Sequence, residues 1–247
     1  MSKTTNKVAL VTGAATGIGR AVAIELASAG YGIAINYSRS ETEAKETLAT
    51  VREAGVPVIL CRCNIADDRG VREMVQTCAN ELGGLDVLVN NAATTRFIPH
   101  TDLEALTDEV WDEILNVNLK GTFSCCRAAL PHLRRRNGCI VNVTSVAGLQ
   151  GYGSSIPYAA SKAAVNCMTQ SLARAFAPDV RVNAVAPGPV LTRWVADHMD
   201  MIDQAVQATP LGRAATPQDI AEVVGFLARS ASLMTGQVVV VDGGRVM

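Results

Sequence analysis

Net charge is almost absent from this chain of 247 residues, in which 22 Lys and Arg oppose 23 Asp and Glu. Acidic and basic residues are mixed along the whole sequence. Proteins that bind nucleic acids or anionic membranes usually present a strongly basic surface. The even balance therefore argues against both kinds of partner.

Long apolar segments are missing as well. A helix needs about 20 consecutive, mostly apolar residues to cross a bilayer, and no segment here is that long. The N-terminal MSKTTNKVALVTG passes from a short polar stretch directly into a strand-like pattern, without the apolar core of a signal peptide. We therefore expect a soluble, cytoplasmic protein.

A disulfide framework is also lacking. The seven cysteines form an odd number without regular spacing, so we expect reduced and mostly buried thiols. Cys61 and Cys63 would point the same way from a strand, but no histidine lies near them and no second Cys pair has zinc-finger spacing. We expect no metal site.

Short apolar runs are abundant, and they alternate with longer helical patterns. Hydrophobic residues make up 49% of the chain, and the Val/Ile-rich runs barely alternate with polar residues, which is typical of strands buried on both faces. Helical crossovers between such strands imply parallel pairing. The pattern predicts one α/β domain with a doubly wound parallel sheet, whose strands are KVALVT, GIAINY, VPVILCRC, LDVLVNN, CIVNVTS, VRVNAVAP and QVVVVDG.

Two helix starts carry recognisable caps. Thr107 precedes the acidic pair Asp108 and Glu109, and Thr216 is followed by Pro217, with Asp219 at the third helical position. These signals concern structure alone. No internal repeat or composition shift marks a second domain.

Tyr158 and Lys162, in the run YAASK, carry the first chemical signal. If this run is helical, residues four apart share a face, and the ammonium lies beside the phenol. A neighbouring cation favours the phenolate, so we expect the tyrosine pKa to fall towards neutrality, as suits a general acid/base. Ser145 ends a strand thirteen residues before Tyr158. Alone, this spacing also fits a solvated pair on an ordinary helix.

A glycine loop, TGAATGIG from Thr12 to Gly19, lies between the first strand and the first helix. Gly13 can make the tight turn, Gly17 lets the backbone approach a pyrophosphate, and Gly19 permits close helix packing. The helix N-terminus favours an anion. The spacing G-x-x-x-G-x-G differs from the usual dinucleotide fingerprint, so a plain βα turn is the alternative.

Taken in order, these motifs resemble those of the short-chain dehydrogenase/reductase family over nearly the whole chain. They are TGAATGIG, NNAA from Asn90 to Ala93, NVNLKG with Asn118, Ser145, YAASK, PGPVLT from Pro187 to Thr192, and VDGG near the end. The resemblance implies a single Rossmann-type domain over residues 1–247, with about seven parallel strands and helices on both faces. It is nearest to 3-oxoacyl-[acyl-carrier-protein] reductase-like members and to sugar or polyol dehydrogenases.

By this resemblance the catalytic residues are Asn118, Ser145, Tyr158 and Lys162. Tyr158 would exchange a proton with a carbonyl or alcohol oxygen, while Ser145 orients that oxygen. Lys162 would lower the tyrosine pKa and bind the nicotinamide ribose, and Asn118 would hold a relay water. The alternative for Asn118 is a structural amide that satisfies backbone groups locally.

The resemblance also implies the residues that bind the cofactor. These are Gly13, Thr16, Gly17, Ile18, Gly19, Tyr37, Ser38, Arg39, Asn64, Ile65, Asn91, Ala92, Ala93, Tyr158, Lys162, Pro187, Gly188, Val190 and Thr192. Asn64 stands where relatives commonly have aspartate, and Ala93 replaces the last glycine of NNAG. An amide can still donate and accept, so we expect binding to survive.

We expect NADP(H) rather than NAD(H). An NAD enzyme usually has an acidic residue near the end of the second strand, and none occurs from Ile33 to Ser40. Tyr37, Ser38 and especially Arg39 suit a 2′-phosphate. One observation argues against NADP(H): Thr16 stands where many similar NADP enzymes carry Arg or Lys. The alternative for Arg39 is an ordinary solvated charge in a loop.

The substrate is weakly indicated. By similarity, the pocket would be lined by Thr94, Arg96, Phe97, Leu149, Gln150, Tyr152, Trp194 and His198, and residues 192–211 would form a lid. Arg96 and Arg193 are candidates to meet an anionic group. The basic run Arg134, Arg135 and Arg136 suits either an acidic carrier protein or solvent.

The resulting hypothesis is an NADP(H)-dependent oxidoreductase that interconverts a ketone and a secondary alcohol, such as a 3-oxoacyl thioester. The alternatives are a sugar, polyol or other alcohol dehydrogenase and a catalytically silent nucleotide-binding subunit, because a fold alone does not establish activity. The resemblance also implies a homotetramer.

Overall fold

The computed structural model describes residues 7–246 and builds them around one parallel sheet. The seven strands lie in the order β3-β2-β1-β4-β5-β6-β7, and every neighbouring pair is parallel. Their bounds are β1 Val8–Val11, β2 Gly32–Tyr37, β3 Val58–Arg62, β4 Val87–Asn90, β5 Cys139–Val143, β6 Arg181–Pro187 and β7 Val238–Val241. All seven predicted strands are confirmed.

Nine α-helices connect and cover the strands in the described part of the chain. They are α1 Gly17–Ser28, α2 Glu41–Arg52, α3 Asp68–Leu82, α4 Asp108–Leu115, α5 Thr122–Arg134, α6 Ala147–Gln150, α7 Ile156–Phe176, α8 Met199–Gln207 and α9 Pro217–Arg229. A π-helix over Asn116–Gly121 joins α4 to α5, and a 3-10 helix over Arg193–His198 precedes α8. None of the described helices is both long and apolar enough to cross a membrane.

The two faces of the sheet bury separate hydrophobic cores. Side chains of β1 alternate between them: Ala9 and Val11 pack with α1 and α9 residues such as Leu26 and Leu227, whereas Leu10 packs towards α3 and α5. Helices on both faces confirm the doubly wound architecture. This burial explains why the strands are almost purely apolar.

The side-chain cap predicted at the start of α9 forms, whereas the one predicted at the start of α4 does not. Thr216 accepts the N–H of Asp219, and the Asp219 carboxylate accepts the N–H of Thr216 at 2.7 Å, which completes a capping box. Thr107 stands at the N-cap of α4, but its side chain makes no capping hydrogen bond.

All seven cysteines are free thiols in the described chain. Five are buried, Cys63 is half-buried and Cys167 is exposed. Burial raises the pKa of Cys61 to about 12 and that of Cys63 to about 11, so both thiols stay protonated at neutral pH. The expectation of mostly buried cysteines is confirmed.

Candidate active site

A cleft of about 670 Å³ opens at the carboxyl ends of the strands. The loops after β1, β2, β4, β5 and β6 meet there, and β1 lies between β2 and β4, where the strand order reverses. Ligands of open α/β sheets bind at this switch point. The topology therefore gathers the predicted site residues from distant parts of the sequence.

The glycine loop forms one wall of the cleft and fits a dinucleotide phosphate. Gly13 has φ +62°, and a Cβ there would lie 2.9 Å from the Cα of Ala92. A Cβ at Gly19 would collide with the carbonyl oxygen of Gly13. Helix α1 begins at Gly17, so its free N–H groups face the same cleft.

Buried polar side chains hold this loop in place from two sides. Asn36, 1% exposed, accepts the N–H of Gly13 and donates to the carbonyls of Cys61 and Cys63. On the other side, Asn91 donates to the carbonyls of Thr12 and Gly13. Because each bond is buried or half-buried, the loop is rigid before any ligand arrives.

The structure brings Ser145, Tyr158 and Lys162 together on the wall of the cleft. Tyr158 and Lys162 lie one turn apart on α7, and the Lys162 Nζ is 5.7 Å from the centre of the Tyr158 ring. Lys162 is 5% exposed and donates to the carbonyl of Val143 at 2.9 Å. Ser145 follows β5 and accepts the N–H of Ala147.

The expected fall in the tyrosine pKa is wrong for the protein alone. Burial raises the pKa of Tyr158 to about 12, and hydrogen bonding to Ser145 opposes that rise only in part. Burial also lowers the pKa of Lys162 to about 8. Desolvation outweighs the attraction that a lysine one turn away was expected to supply.

Asn118 lies behind the cleft and not on its wall. It is 1% exposed within the π-helix, its Oδ1 accepts the N–H of Thr94 at 2.8 Å, and its Nδ2 donates to the Thr94 carbonyl and to Ser161. Both ends of the amide are therefore occupied by protein groups. This geometry favours the structural alternative, in which Asn118 positions the loop after β4.

Most predicted cofactor residues line the cleft. They are Gly13, Thr16, Gly17, Ile18, Tyr37, Ser38, Arg39, Asn91, Ala92, Ala93, Tyr158, Lys162, Pro187, Gly188, Val190 and Thr192. Gly19 packs beneath the loop. Asn64 and Ile65 lie after β3, outside the cleft, and the exposed Asn64 accepts the N–H of Ala66.

Arg193 reaches the end of the cleft formed by the loop after β2. Its Nη1 lies 2.9 Å from Glu43, and its Nη2 donates to Ser40 at 2.8 Å. This contact joins the segment after β6 to the start of α2 across the cleft mouth. Arg193 therefore lies at the end of the cleft that Arg39 and Ser40 also line, and not in the substrate half, where an anion contact was expected.

The other half of the cleft contains Tyr158 and is called the substrate half. It is bounded by aromatic side chains of the segment after β6. The Trp194 ring meets Tyr158 edge-on, with ring centres 6.0 Å apart, and His198 stacks on Phe97 at 3.8 Å. Tyr152 also lines this half. The residues expected in the pocket but placed outside it are Thr94, Arg96, Leu149 and Gln150.

Arg96 lies outside the cleft, and its charge is paired. Its guanidinium donates to Glu113 through two nitrogens, at 3.0 and 2.8 Å. Sequence reasoning missed His100 and Arg245, which do line the cleft. Nothing in the residues around them signalled this, since Arg245 reaches Tyr152 from the far end of the chain.

Comparisons with known proteins agree with this geometry. A family model described as enoyl-(acyl carrier protein) reductase matches residues 13–245. A Streptomyces violaceoruber protein named as granaticin polyketide synthase ketoacyl reductase 2 is 47% identical over 96% of this chain and 95% of its own. A 3-oxoacyl-[acyl-carrier-protein] reductase of Staphylococcus epidermidis is 39% identical over 98% and 100% of the two chains.

The fold comparison points the same way. A crystal structure from Burkholderia xenovorans, titled as a short-chain dehydrogenase/reductase, superposes with a TM-score of 0.93. The two chains are 38% identical, and the match covers 98% of this chain and 99% of the other. This protein therefore belongs to the short-chain dehydrogenase/reductase family and is an NAD(P)(H)-dependent oxidoreductase.

Proposed function

We propose that the protein reduces 3-oxoacyl thioesters to the 3-hydroxyacyl thioesters, with NADPH as the reductant. The observation that carries the proposal is the convergence of Ser145, Tyr158 and Lys162 on a cleft whose glycine loop fits a dinucleotide. Two relatives that match almost the whole chain are named as ketoacyl or 3-oxoacyl reductases. Both support a ketone beside a thioester as the reacting group.

In this proposal Tyr158 is the proton donor to the carbonyl oxygen. A phenol whose pKa is raised to about 12 is fully protonated at neutral pH, which suits a donor during reduction. Ser145 orients the same oxygen by hydrogen bonding, and protonated Lys162 stabilises the phenolate that remains. A nicotinamide held beside Tyr158 and Lys162 would supply the hydride for the carbonyl carbon. Trp194 against Tyr158 helps to exclude water.

The proposed preference for NADPH rests on the cations at one end of the cleft. Arg39 is exposed at the cleft wall, and Arg193 reaches the same end of the cleft, where it pairs with Glu43 and donates to Ser40. No Asp or Glu lines the cleft wall among the described side chains, and the Glu43 carboxylate at the cleft mouth is already paired with Arg193. The guanidinium of Arg39 suits a phosphate dianion.

Arg39→Ala tests the cofactor assignment. We expect the variant to bind NADPH about 10-fold or more weakly, because one charge-assisted contact is lost, and to bind NADH unchanged. Nicotinamide fluorescence titration measures both. Arg62→Ala is the matched control, because Arg62 is an exposed arginine outside the cleft. Equal weakening of NADH, or a wild-type preference for NADH, would contradict the phosphate role.

A substrate panel tests the reaction itself. Purified protein with NADPH is offered a 3-oxoacyl thioester, an enoyl thioester, a simple ketone and a keto sugar, and nicotinamide absorbance is followed. We expect the highest kcat/KM with the 3-oxoacyl thioester. A higher kcat/KM with the enoyl thioester or the keto sugar would contradict the proposed substrate class and indicate the class of that compound instead. NADPH binding without turnover of any compound would favour the silent nucleotide-binding alternative.

We further propose that residues 192–211 act as a lid and that the protein is a homotetramer. The contacts of Arg193, Trp194 and His198 across the cleft support a closed lid. β7 is an edge strand with Val240 37% exposed, and Phe226 on α9 is 47% exposed, which suits burial against another copy. Light scattering that gives a monomer mass would refute the assembly. The cytoplasmic location stays a prediction.

A further inference from the structure

The substrate half of the cleft contains a cation that the proposed reaction does not use. Arg245 is half-buried on the cleft wall, and its guanidinium carbon lies 5.1 Å from the centre of the Tyr152 ring. Among the side chains that the structure describes, no Asp or Glu forms an ion pair with it. The Tyr152 ring stabilises the cation without neutralising its charge.

The backbone around Arg245 is held by a built turn. The buried carboxylate of Asp242 accepts the N–H groups of Gly244 at 2.9 Å and Val246 at 2.7 Å. Gly243 and Gly244 take φ values of +71° and +88°, which other residues rarely adopt. The Gly243 carbonyl also accepts the N–H of Leu211. Arg245 is therefore presented to the cleft by a rigid segment.

The charge pattern of the cleft favours a negative group at this position. The charged side chains on its wall are Arg39, Lys162, Arg193 and Arg245, all cationic, and no carboxylate joins them among the described residues. Glu43 already pairs with Arg193. Arg245 therefore offers a positive charge that no described carboxylate pairs with, in the substrate half of the cleft, where Arg96 was expected to supply one.

Arg245 is linked to the proposed proton donor through Tyr152 and Gly153. Gly153 follows Tyr152, and a Cβ at Gly153 would lie 3.6 Å from the Tyr158 ring. His100 lines the same cleft, and its buried Nε2 has no hydrogen-bond partner among the described residues. A buried polar atom without a partner is costly, so a ligand group or water is expected to reach it.

We propose that Arg245 binds an anionic group of the substrate, a carboxylate or a phosphate, and that it selects substrates that carry one. The inference rests on the proposed function and adds a substrate class to it. The anion has two sources with the same chemistry. It is either a carboxylate on the acyl chain or the phosphate of a phosphopantetheine arm, and guanidinium binds both.

Three thioesters distinguish an acyl-chain carboxylate from a phosphopantetheine phosphate as the anion that Arg245 binds. The first is the neutral acetoacetyl thioester of N-acetylcysteamine, the second carries a terminal carboxylate on its 3-oxoacyl chain, and the third is acetoacetyl-phosphopantetheine. Each is reduced with NADPH by wild type, Arg245→Gln, Arg245→Lys and Arg96→Gln. Arg96 is the matched control, because its charge is paired with Glu113 outside the cleft.

We expect Arg245→Gln to raise KM for one anionic thioester about 10- to 100-fold, as loss of a charge-assisted hydrogen bond predicts. The neutral thioester and all Arg96→Gln values should stay within about twofold, and Arg245→Lys should recover most of the loss because it keeps a charge. The anionic thioester whose KM rises identifies which anion Arg245 binds. Equal loss with the neutral thioester would make Arg245 a packing residue, and no loss with any would overturn the proposal.

Binding is measured separately from turnover. Wild type and Arg245→Gln, each saturated with NADPH, are titrated calorimetrically with the reduced hydroxyacyl forms of the same three thioesters. If wild type reduces none of the thioesters but binds an anionic one in an Arg245-dependent way, the proposed function fails and the anion site stands. If binding does not depend on Arg245, the anion site is refuted whatever the turnover.

Discussion

Lys162 is a buried cation next to the proposed proton donor, and its position carries an energetic cost. Burial lowers its pKa from 10.5 to about 8, which corresponds to about 3 kcal/mol that the charged form loses on folding. Its hydrogen bond to Val143 returns about 1 kcal/mol. A residue kept at such cost is typical of a catalytic site, where stability is given up for chemistry.

Lys162→Met should therefore stabilise the fold by about 2 kcal/mol at pH 7 while it impairs reduction. Below about pH 8 the lysine is charged in both the folded and the unfolded chain, so the cost is fully present. Between about pH 8 and 10.5 the folded chain loses the proton first, and the cost fades. The advantage of the variant should shrink over that range.

Urea unfolding of both proteins at several pH values measures this difference. Lys45→Met is the control, because Lys45 is an exposed lysine paired with Glu41, and its effect should be small and nearly independent of pH below 10. A destabilised Lys162→Met, or a difference that persists unchanged to pH 10, would mean that burial does not set the lysine pKa.

Single residues differ in how far the sequence alone predicts them. Tyr158, Lys162 and Gly13 belong to local motifs whose chemistry depends on near neighbours, so they were identified correctly as cleft residues. Arg245 was missed because only the folded chain brings it to Tyr152, and His100 was missed because only the path of the loop after β4 turns it into the cleft. The tyrosine pKa was predicted wrongly because desolvation depends on the whole fold.

At the scale of elements, the start of α9 offers a direct test of capping. Thr216 closes a reciprocal box with Asp219, and Arg213 adds a two-pronged ion pair to the same carboxylate at 2.7 Å. Both groups hold the pKa of Asp219 well below its usual range. The helix packs its apolar face on α1, so fraying at its start would loosen one of the two cores.

Thr216→Ala should destabilise the protein by about 1 kcal/mol, as the loss of an N-cap hydrogen bond usually does. Thr107→Ala is the matched control, since that threonine is also an N-cap but its side chain makes no capping bond. Its effect should be clearly smaller. Chemical unfolding compares the two, and equal losses would show that the capping box adds nothing.

The strands and helices were largely predictable from the sequence, with the exception of the π-helix. Val/Ile-rich runs mark buried strands because few other environments tolerate them, and all seven were located. The π-helix over Asn116–Gly121 was not predicted, because the local sequence NVNLKG carries no signal that separates it from an α-helix. It arises where Asn118 turns inward to bind the backbone of Thr94.

At the scale of the whole molecule, parallel strand order decides where the site lies. Six strands, all but β3, deliver their following segments to one edge of the sheet, so residues from Gly13 to Arg245 line one cleft. That edge was predictable from the sequence, because parallel sheets bind ligands at their carboxyl ends. The distribution of cations along the cleft was not, since ion pairs such as Arg96 with Glu113 form only on folding.

The central claim is that Tyr158 gives the proton in a ketone reduction, and a single-turnover experiment tests it most directly. Wild type, Tyr158→Phe and Tyr152→Phe are saturated with NADPH and mixed with a 3-oxoacyl thioester, and nicotinamide fluorescence is followed. Tyr152 is the control because it is another tyrosine of the same cleft. We predict that Tyr158→Phe slows reduction about 10²–10⁴-fold without weakening NADPH binding, whereas Tyr152→Phe keeps a rate near wild type. Unchanged reduction by Tyr158→Phe would contradict the account.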